Sequence, residues 1–153
     1  MRSFVLDDLR GEPIRLLLEE HLRDMRAWSP PESVHALDLD KLRLPEISLW
    51  TLWEEGVLLG CGALKDLGAQ HAEIKSMRTA HAHRGKSVGA DMLMHLIKVA
   101  KERRMMRLYL ETGTQLQFAP ARAFYKRFGF KECEPFADYA LDPYSVFMTL
   151  SLE

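Results

Sequence analysis

Cysteine is scarce in this chain: Cys61 and Cys133 are the only two among 153 residues, and no Cys-x-x-Cys spacing occurs. That excludes a disulfide framework and leaves two free thiols as the expectation. Long apolar runs are also missing, and none approaches the ~18 residues that a bilayer span needs. The stretch from Met1 to Asp8 turns acidic before the apolar centre of a secretory signal could form. A cytoplasmic location with no membrane partner is therefore expected. Neither sign of charge dominates. The 21 basic and 22 acidic residues leave a formal charge of −1, so nucleic acid is not an expected partner. Six histidines are scattered without metal-ligand spacing, His81 and His83 being the close pair, and no metal site is expected. There are no repeats, low-complexity tracts or linker, so residues 1–153 read as one domain.

What is present is a regular alternation of element signals. Arg2 to Leu6 reads as a first strand. Pro13 then opens a helix over residues 12–27, with Ile14, Leu17, Leu18, Leu22 and Met25 at helical spacing. Trp28-Ser29-Pro30-Pro31 breaks it, and a shorter helical piece is expected from Val34 to Leu42. Strands over Ile47 to Glu54 and Val57 to Lys65 flank Glu55-Gly56, a two-residue hairpin connection. Leu67 to His71 reads as a turn and Ala72 to Thr79 as a third long strand. A helix begins near Val88, with Met92, Leu93, Leu96, Ile97 and Ala100 as its core stripe. Arg107 to Thr112 is a strand, Pro120 to Phe128 a helix stopped by Gly129, and Phe130 to Glu134 and Val146 to Leu152 are closing strands. This order gives a mixed α/β (α+β) domain.

The chemistry concentrates where the third long strand meets a glycine-bearing basic loop and then a helix. The first N–H groups of a helix lack internal partners, and the helix dipole adds roughly half a positive charge there. Gly85 and Gly89 let an anion approach the backbone, and Arg84 and Lys86 add charge. Gly85-Lys86-Ser87 also matches the end of a nucleotide-binding P-loop, but Ala80 stands where that motif needs its first glycine. Alone, the loop is equally readable as a solvated helix entry.

The segment Arg84-Gly85-Lys86-Ser87-Val88-Gly89-Ala90 resembles the pyrophosphate motif of the GNAT superfamily (Gcn5-related N-acetyltransferases), Gln/Arg-x-x-Gly-x-Gly/Ala, with Ser87 at the usual first glycine. Ala72 to Met77 resembles the family's fourth strand, and Leu108-Tyr109-Leu110-Glu111-Thr112 its fifth. Ala121-Arg122-Ala123-Phe124-Tyr125-Lys126-Arg127-Phe128-Gly129-Phe130 resembles the helix and turn that follow. These ordered matches cover residues 72–130. Ser29-Pro30-Pro31-Glu32-Ser33, Leu110 to Gly113 and Val146-Phe147-Met148 are similar, more narrowly, to the YsnE-like group of acetyltransferases. A second departure is Arg104-Met105, where relatives often place glycine; a left-handed Arg104 would cost ~1 kcal/mol.

The resemblance implies a mostly antiparallel sheet whose fourth and fifth strands splay apart to receive acetyl-CoA, and transfer of its acetyl group to a primary amine by direct attack on the thioester. Met77, Arg78, Thr79, Arg84, Gly85, Lys86, Ser87, Val88, Gly89 and Ala90 are the implied cofactor-binding residues. Tyr125 matches the family's tyrosine that protonates the leaving thiolate; a phenol with a pKa near 10 is a donor at neutral pH. Glu73 is the implied base, with Glu111 as its competitor and a water relay as a third route. Glu32, His35, Trp50, Glu111 and Asp138 are candidate acceptor-lining residues. The acceptor is expected to be a small-molecule or peptide amine, and such folds commonly pair into homodimers through the C-terminal strands. A non-catalytic acyl-CoA-binding or sensor domain is the alternative on the same fold.

Overall fold

The computed structural model of the protein describes residues 1–34 and 39–153. Seven strands form one sheet in the order β1-β2-β3-β4-β5-β7-β6. They are β1 (Arg2–Leu6), β2 (Ile47–Glu54), β3 (Val57–Gly68), β4 (His71–Thr79), β5 (Arg107–Gly113), β6 (Lys131–Cys133) and β7 (Ser145–Ser151). Every neighbouring pair is antiparallel except β4 and β5, which run parallel. The helices are α1 (Glu12–Trp28), α2 (Leu39–Leu42), α3 (Val88–Glu102) and α4 (Ala119–Arg127). This is the mixed α/β architecture that the order of sequence signals implies.

Strand alternation supplies one core on each sheet face. Ile47 and Leu49 of β2 join Cys61 and Ala63 of β3 against Ile14, Leu17 and Leu18 of α1. Trp50 and Leu52, from the same strand, pack instead with Met92, Leu93, Leu96 and Ala100 of α3, the helical stripe read from sequence. The β2–β3 hairpin turns on Glu55 and Gly56, at φ 51° and 77°. Two left-handed residues match the twist of the strands they join, and glycine carries that conformation without steric cost.

Two boundaries differ from the sequence reading by more than a residue or so. The expected turn from Leu67 to His71 shrinks to Ala69 and Gln70, both left-handed, so β3 runs on to Gly68 and pairs it with His71. Because neither residue is Gly or Asn, the usual tight-turn signal is missing. Of the helical piece expected from Val34 to Leu42, only Leu39–Leu42 is helical among the described residues, and a single 3-10 turn covers Pro31–Ser33. Residues 35–38 lie outside those described.

The parting of β4 from β5 is what makes room for a ligand. Their parallel register holds for three pairs, ending at Glu73 opposite Tyr109. Beyond that point β4 continues to Thr79 and β5 to Gly113 without pairing each other. A bulge in β4 accompanies the divergence. Ser76 is left-handed (φ 53°), its carbonyl accepts the Cys61 thiol at 3.2 Å, and the register against β3 slips there by one residue. A one-residue insertion exchanges the faces of the residues that follow. Met77 therefore packs toward the α3 core while Arg78 turns to α1.

Candidate active site

The diverging strands, the start of α3, α4 and the end of α1 enclose a cleft of about 950 Å³. Its β4 wall runs from Glu73 to Thr79, about 20 Å along an extended strand. The far end of that wall opens on the basic loop, where Arg84, Gly85, Ser87, Val88, Gly89 and Ala90 all line the cleft.

The conformation of the loop follows from two left-handed residues, Gly85 (φ 78°) and Ser87 (φ 61°), the latter at the N-cap of α3. The Ser87 side chain makes no capping hydrogen bond. The first N–H groups of α3 are thus available to an anion, as helix geometry requires of an uncapped start. This φ costs a side-chain-bearing residue such as Ser87 roughly 1 kcal/mol. Arg2 holds the loop from a distance: its guanidinium donates to the Lys86 carbonyl at 2.7 Å and to Asp91 of α3 at 2.7 Å. Closer packing is set at Gly60, where a Cβ would stand 2.6 Å from the Arg78 carbonyl and 2.8 Å from Val88.

Two cofactor candidates have side chains engaged by other residues. The Arg78 side chain, 8% exposed, donates to Glu20 at 3.0 Å and to Asp24 at 2.5 Å, tying β4 to α1. The same Asp24 carboxylate lies 3.0 Å from His81 and 3.9 Å from Arg84. The Arg78 and His81 contacts outweigh the burial of Asp24 and leave its carboxyl below the usual carboxylate range. Lys86 is outside the cleft lining, with Nζ 3.3 Å from His83 Nδ1. His21 of α1 does line it; burial, reinforced by the Arg78 charge, lowers its pKa to about 4, so its imidazole is neutral.

Tyr125 lines the cleft from the last turn of α4 and is buried in the α3 core, its ring edge-on to Phe124 and Phe130. Burial pushes its phenol well above the usual tyrosine range. Phe124 seats α4 against the loop, 3.7 Å from where a Cβ on Gly89 would be.

The near end of the cleft gathers Glu73, Lys75, Glu111 and Tyr139. Glu73 is 2% exposed, and one oxygen, Oε2, accepts both the Tyr139 hydroxyl at 2.6 Å and Lys75 Nζ at 3.1 Å. Glu111 on β5 accepts one hydrogen bond, from Ser145 Oγ at 2.8 Å. Burial is the largest influence on Glu111 and exceeds the opposing pull of Ser145 and Lys75, so its pKa rises from 4.5 to about 7.

Three acceptor candidates do not line the cleft. Trp50 is buried under α3, 5.3 Å from the His95 ring and 5.3 Å from the Arg103 guanidinium, because even-numbered positions of β2 face that helix. Glu32 and Asp138 are exposed and do not line the cleft, while the adjacent Ser33 and Tyr139 do. His35 lies outside the described residues. Sequence reading missed Lys75, Tyr139, Trp28 and Phe118 as lining residues. Alternation from Glu73 could have indicated Lys75, whereas the others depend on how distant segments fold over the sheet.

Comparison with known proteins agrees with this arrangement. The family model described as Acetyltransferase (GNAT) family matches residues 14–130. The chain is 54% identical over 147 residues to the uncharacterised N-acetyltransferase YsnE of Bacillus subtilis, covering 96% of this chain and 97% of that one. It is 47% identical over 152 residues to the uncharacterised N-acetyltransferase YedL of Escherichia coli, covering 99% and 96%. A proposed acyl-CoA N-acyltransferase from Klebsiella pneumoniae superposes with a TM-score of 0.78 at 26% identity, over 100% of this chain and 99% of that one. With the parted parallel strands and the open helix start already in place, these matches show that the chain belongs to the GNAT acetyltransferase family.

Proposed function

We propose that the protein transfers the acetyl group of acetyl-CoA to a primary amine. The observation that carries this reading is the parting of β4 and β5 beyond Glu73 and Tyr109 in front of the uncapped start of α3. The residues fit the cosubstrate: backbone donors of Ser87 to Ala90 and the Arg84 side chain suit a diphosphate, and the unpaired run around Met77 offers backbone groups to an extended amide arm. Acetyl-CoA supplies the activated thioester.

The protein's own groups supply proton transfer. Glu111, with a pKa of about 7, is substantially ionised at neutral pH and is the group we assign to take the proton of the attacking ammonium. Glu73 is committed to Lys75 and Tyr139 through a single oxygen and acts as a fixed charge behind them. Tyr125 stays protonated and can donate to the departing sulfur. Backbone N–H groups of β4 near Met77 are the donors for charge developing on the carbonyl oxygen. Titration calorimetry with acetyl-CoA tests the cosubstrate. Saturable binding at micromolar ligand, weakened by Arg84→Ala, is expected; heats absent at millimolar ligand would refute the assignment.

A further inference from the structure

The near end of the cleft also carries information about the acceptor, and the inference rests on the acetyl-transfer reading above. We propose that the acceptor is a small amine with an aromatic or similarly apolar body and no carboxylate beside its amino group, an arylalkylamine by class. The first ground is charge. Two carboxylates, Glu73 and Glu111, line this end together with one ammonium, Lys75. Lys75 Nζ already donates to Glu73 at 3.1 Å and to the Tyr139 hydroxyl at 2.9 Å, and the side chain is 9% exposed. A third carboxylate, Asp142, accepts the hydroxyl of the cleft-lining Ser33 at 2.6 Å.

Two other cations nearby, Arg78 and Arg122, are held elsewhere. Arg78 is held by Glu20 and Asp24. Arg122 donates to the carbonyls of Gly113 and Gln115 at 2.6 and 3.1 Å. Arg84 belongs to the basic loop, and Arg127 lines the cleft from α4, the helix whose Phe124 ring abuts that loop. An amino-acid carboxylate entering beside Glu73 and Glu111 would meet two carboxylates and one ammonium, Lys75, already bound to Glu73 and Tyr139, so its desolvation would go largely uncompensated. An ammonium meets the opposite field.

The second ground is the shape of the walls. Trp28, Phe118, Tyr139 and Tyr144 line the cleft, and Tyr139 bonds directly to Glu73. Phe118 packs edge-on to Trp28 at 5.5 Å, and Tyr139 is set against Phe136 and Phe147 at 5.0 and 5.5 Å. These contacts fix three of the four rings before any ligand arrives, which suits an apolar partner of few conformations. Leu116 and Leu141, 85% and 81% exposed, extend the apolar character through segments adjoining Phe118 and Tyr144.

The test is a rate comparison with acetyl-CoA and four acceptors: 2-phenylethylamine, phenylalanine, phenylalanine amide and ethanolamine, each followed by CoA release. We expect kcat/KM for 2-phenylethylamine to exceed that for phenylalanine and for ethanolamine by about tenfold or more. Removing the charge in phenylalanine amide should recover most of the loss. Trp28→Ala should raise KM for 2-phenylethylamine and leave KM for acetyl-CoA unchanged; Tyr144→Ala, at a residue 44% exposed, provides the same readout without disturbing packed structure. Equal or better use of phenylalanine or ethanolamine overturns the substrate class and leaves acetyl transfer standing. CoA release with none of the four, nor with lysine or spermidine, overturns both.

Discussion

Replacing Glu111 by glutamine separates its two consequences, one for stability and one for catalysis. A carboxyl whose pKa rises from 4.5 to about 7 on folding prefers its neutral form in the fold by roughly 3 kcal/mol. The sign follows from which state binds the proton. The native state holds it more tightly, so the stabilisation is complete below pH 4.5 and is lost progressively as the pH rises to about 7. Glutamine is neutral throughout and can still accept from Ser145 Oγ. Glu111→Gln should therefore match wild type at pH 4 and be more stable by up to about 3 kcal/mol at pH 8, a gain of roughly 6–12 °C in Tm for a domain of this size. The same substitution should lower kcat/KM by about 10²-fold or more, as removal of a general base does. It should also abolish the limb of the wild-type pH–rate profile near pH 7. Thermal melts at pH 4, 6 and 8 and rate profiles with a neutralised amine concentration measure both. A variant that keeps the limb and the rate while gaining no stability at pH 8 would refute the environment assigned to Glu111.

Two further perturbations probe the frame and the proton donor. Arg104 is left-handed (φ 62°) just past α3, a conformation glycine adopts without steric cost; Arg104→Gly should stabilise the protein by up to about 1 kcal/mol, read as a rise of a few degrees in Tm, with unchanged turnover. Tyr125→Phe keeps the ring packing against Phe124 and Phe130 but removes the hydroxyl; kcat should fall about 10²-fold while calorimetric affinity for acetyl-CoA stays within about twofold.

The elements whose signals are local were legible in the sequence. β1 has the residues expected of it, the stripe of α3 is the observed core, and the left-handed Glu55-Gly56 turn was readable from two residues. The loop before α3 was legible because its helix start and glycines are contiguous. Facing was harder. β2 is apolar on both sides, so periodicity did not say that Trp50 would turn under α3 while Leu49 met α1. In β4 the bulge at Ser76 reverses alternation between Lys75 and Met77, and no residue type announces it. The pairing of Glu73 with Tyr139 joins positions far apart in the chain, through a segment without regular structure. Distinguishing Glu111 from Glu73 therefore required knowing their surroundings, since burial and partners, not residue type, separate two glutamates on adjacent strands.

The assignment of Glu111 and Tyr125 as the proton-handling groups of acetyl transfer in this cleft is open to direct measurement. Its most direct test is a single experiment that follows free thiol and acetylated amine together, with acetyl-CoA and 2-phenylethylamine, on wild type, Glu111→Gln and Tyr125→Phe. On that assignment, wild type should give one thiol per acetylated amine, and each variant a loss of about 10²-fold at pH 8. Thiol release that proceeds without acetylated amine, or at equal rates in all three proteins, would contradict it.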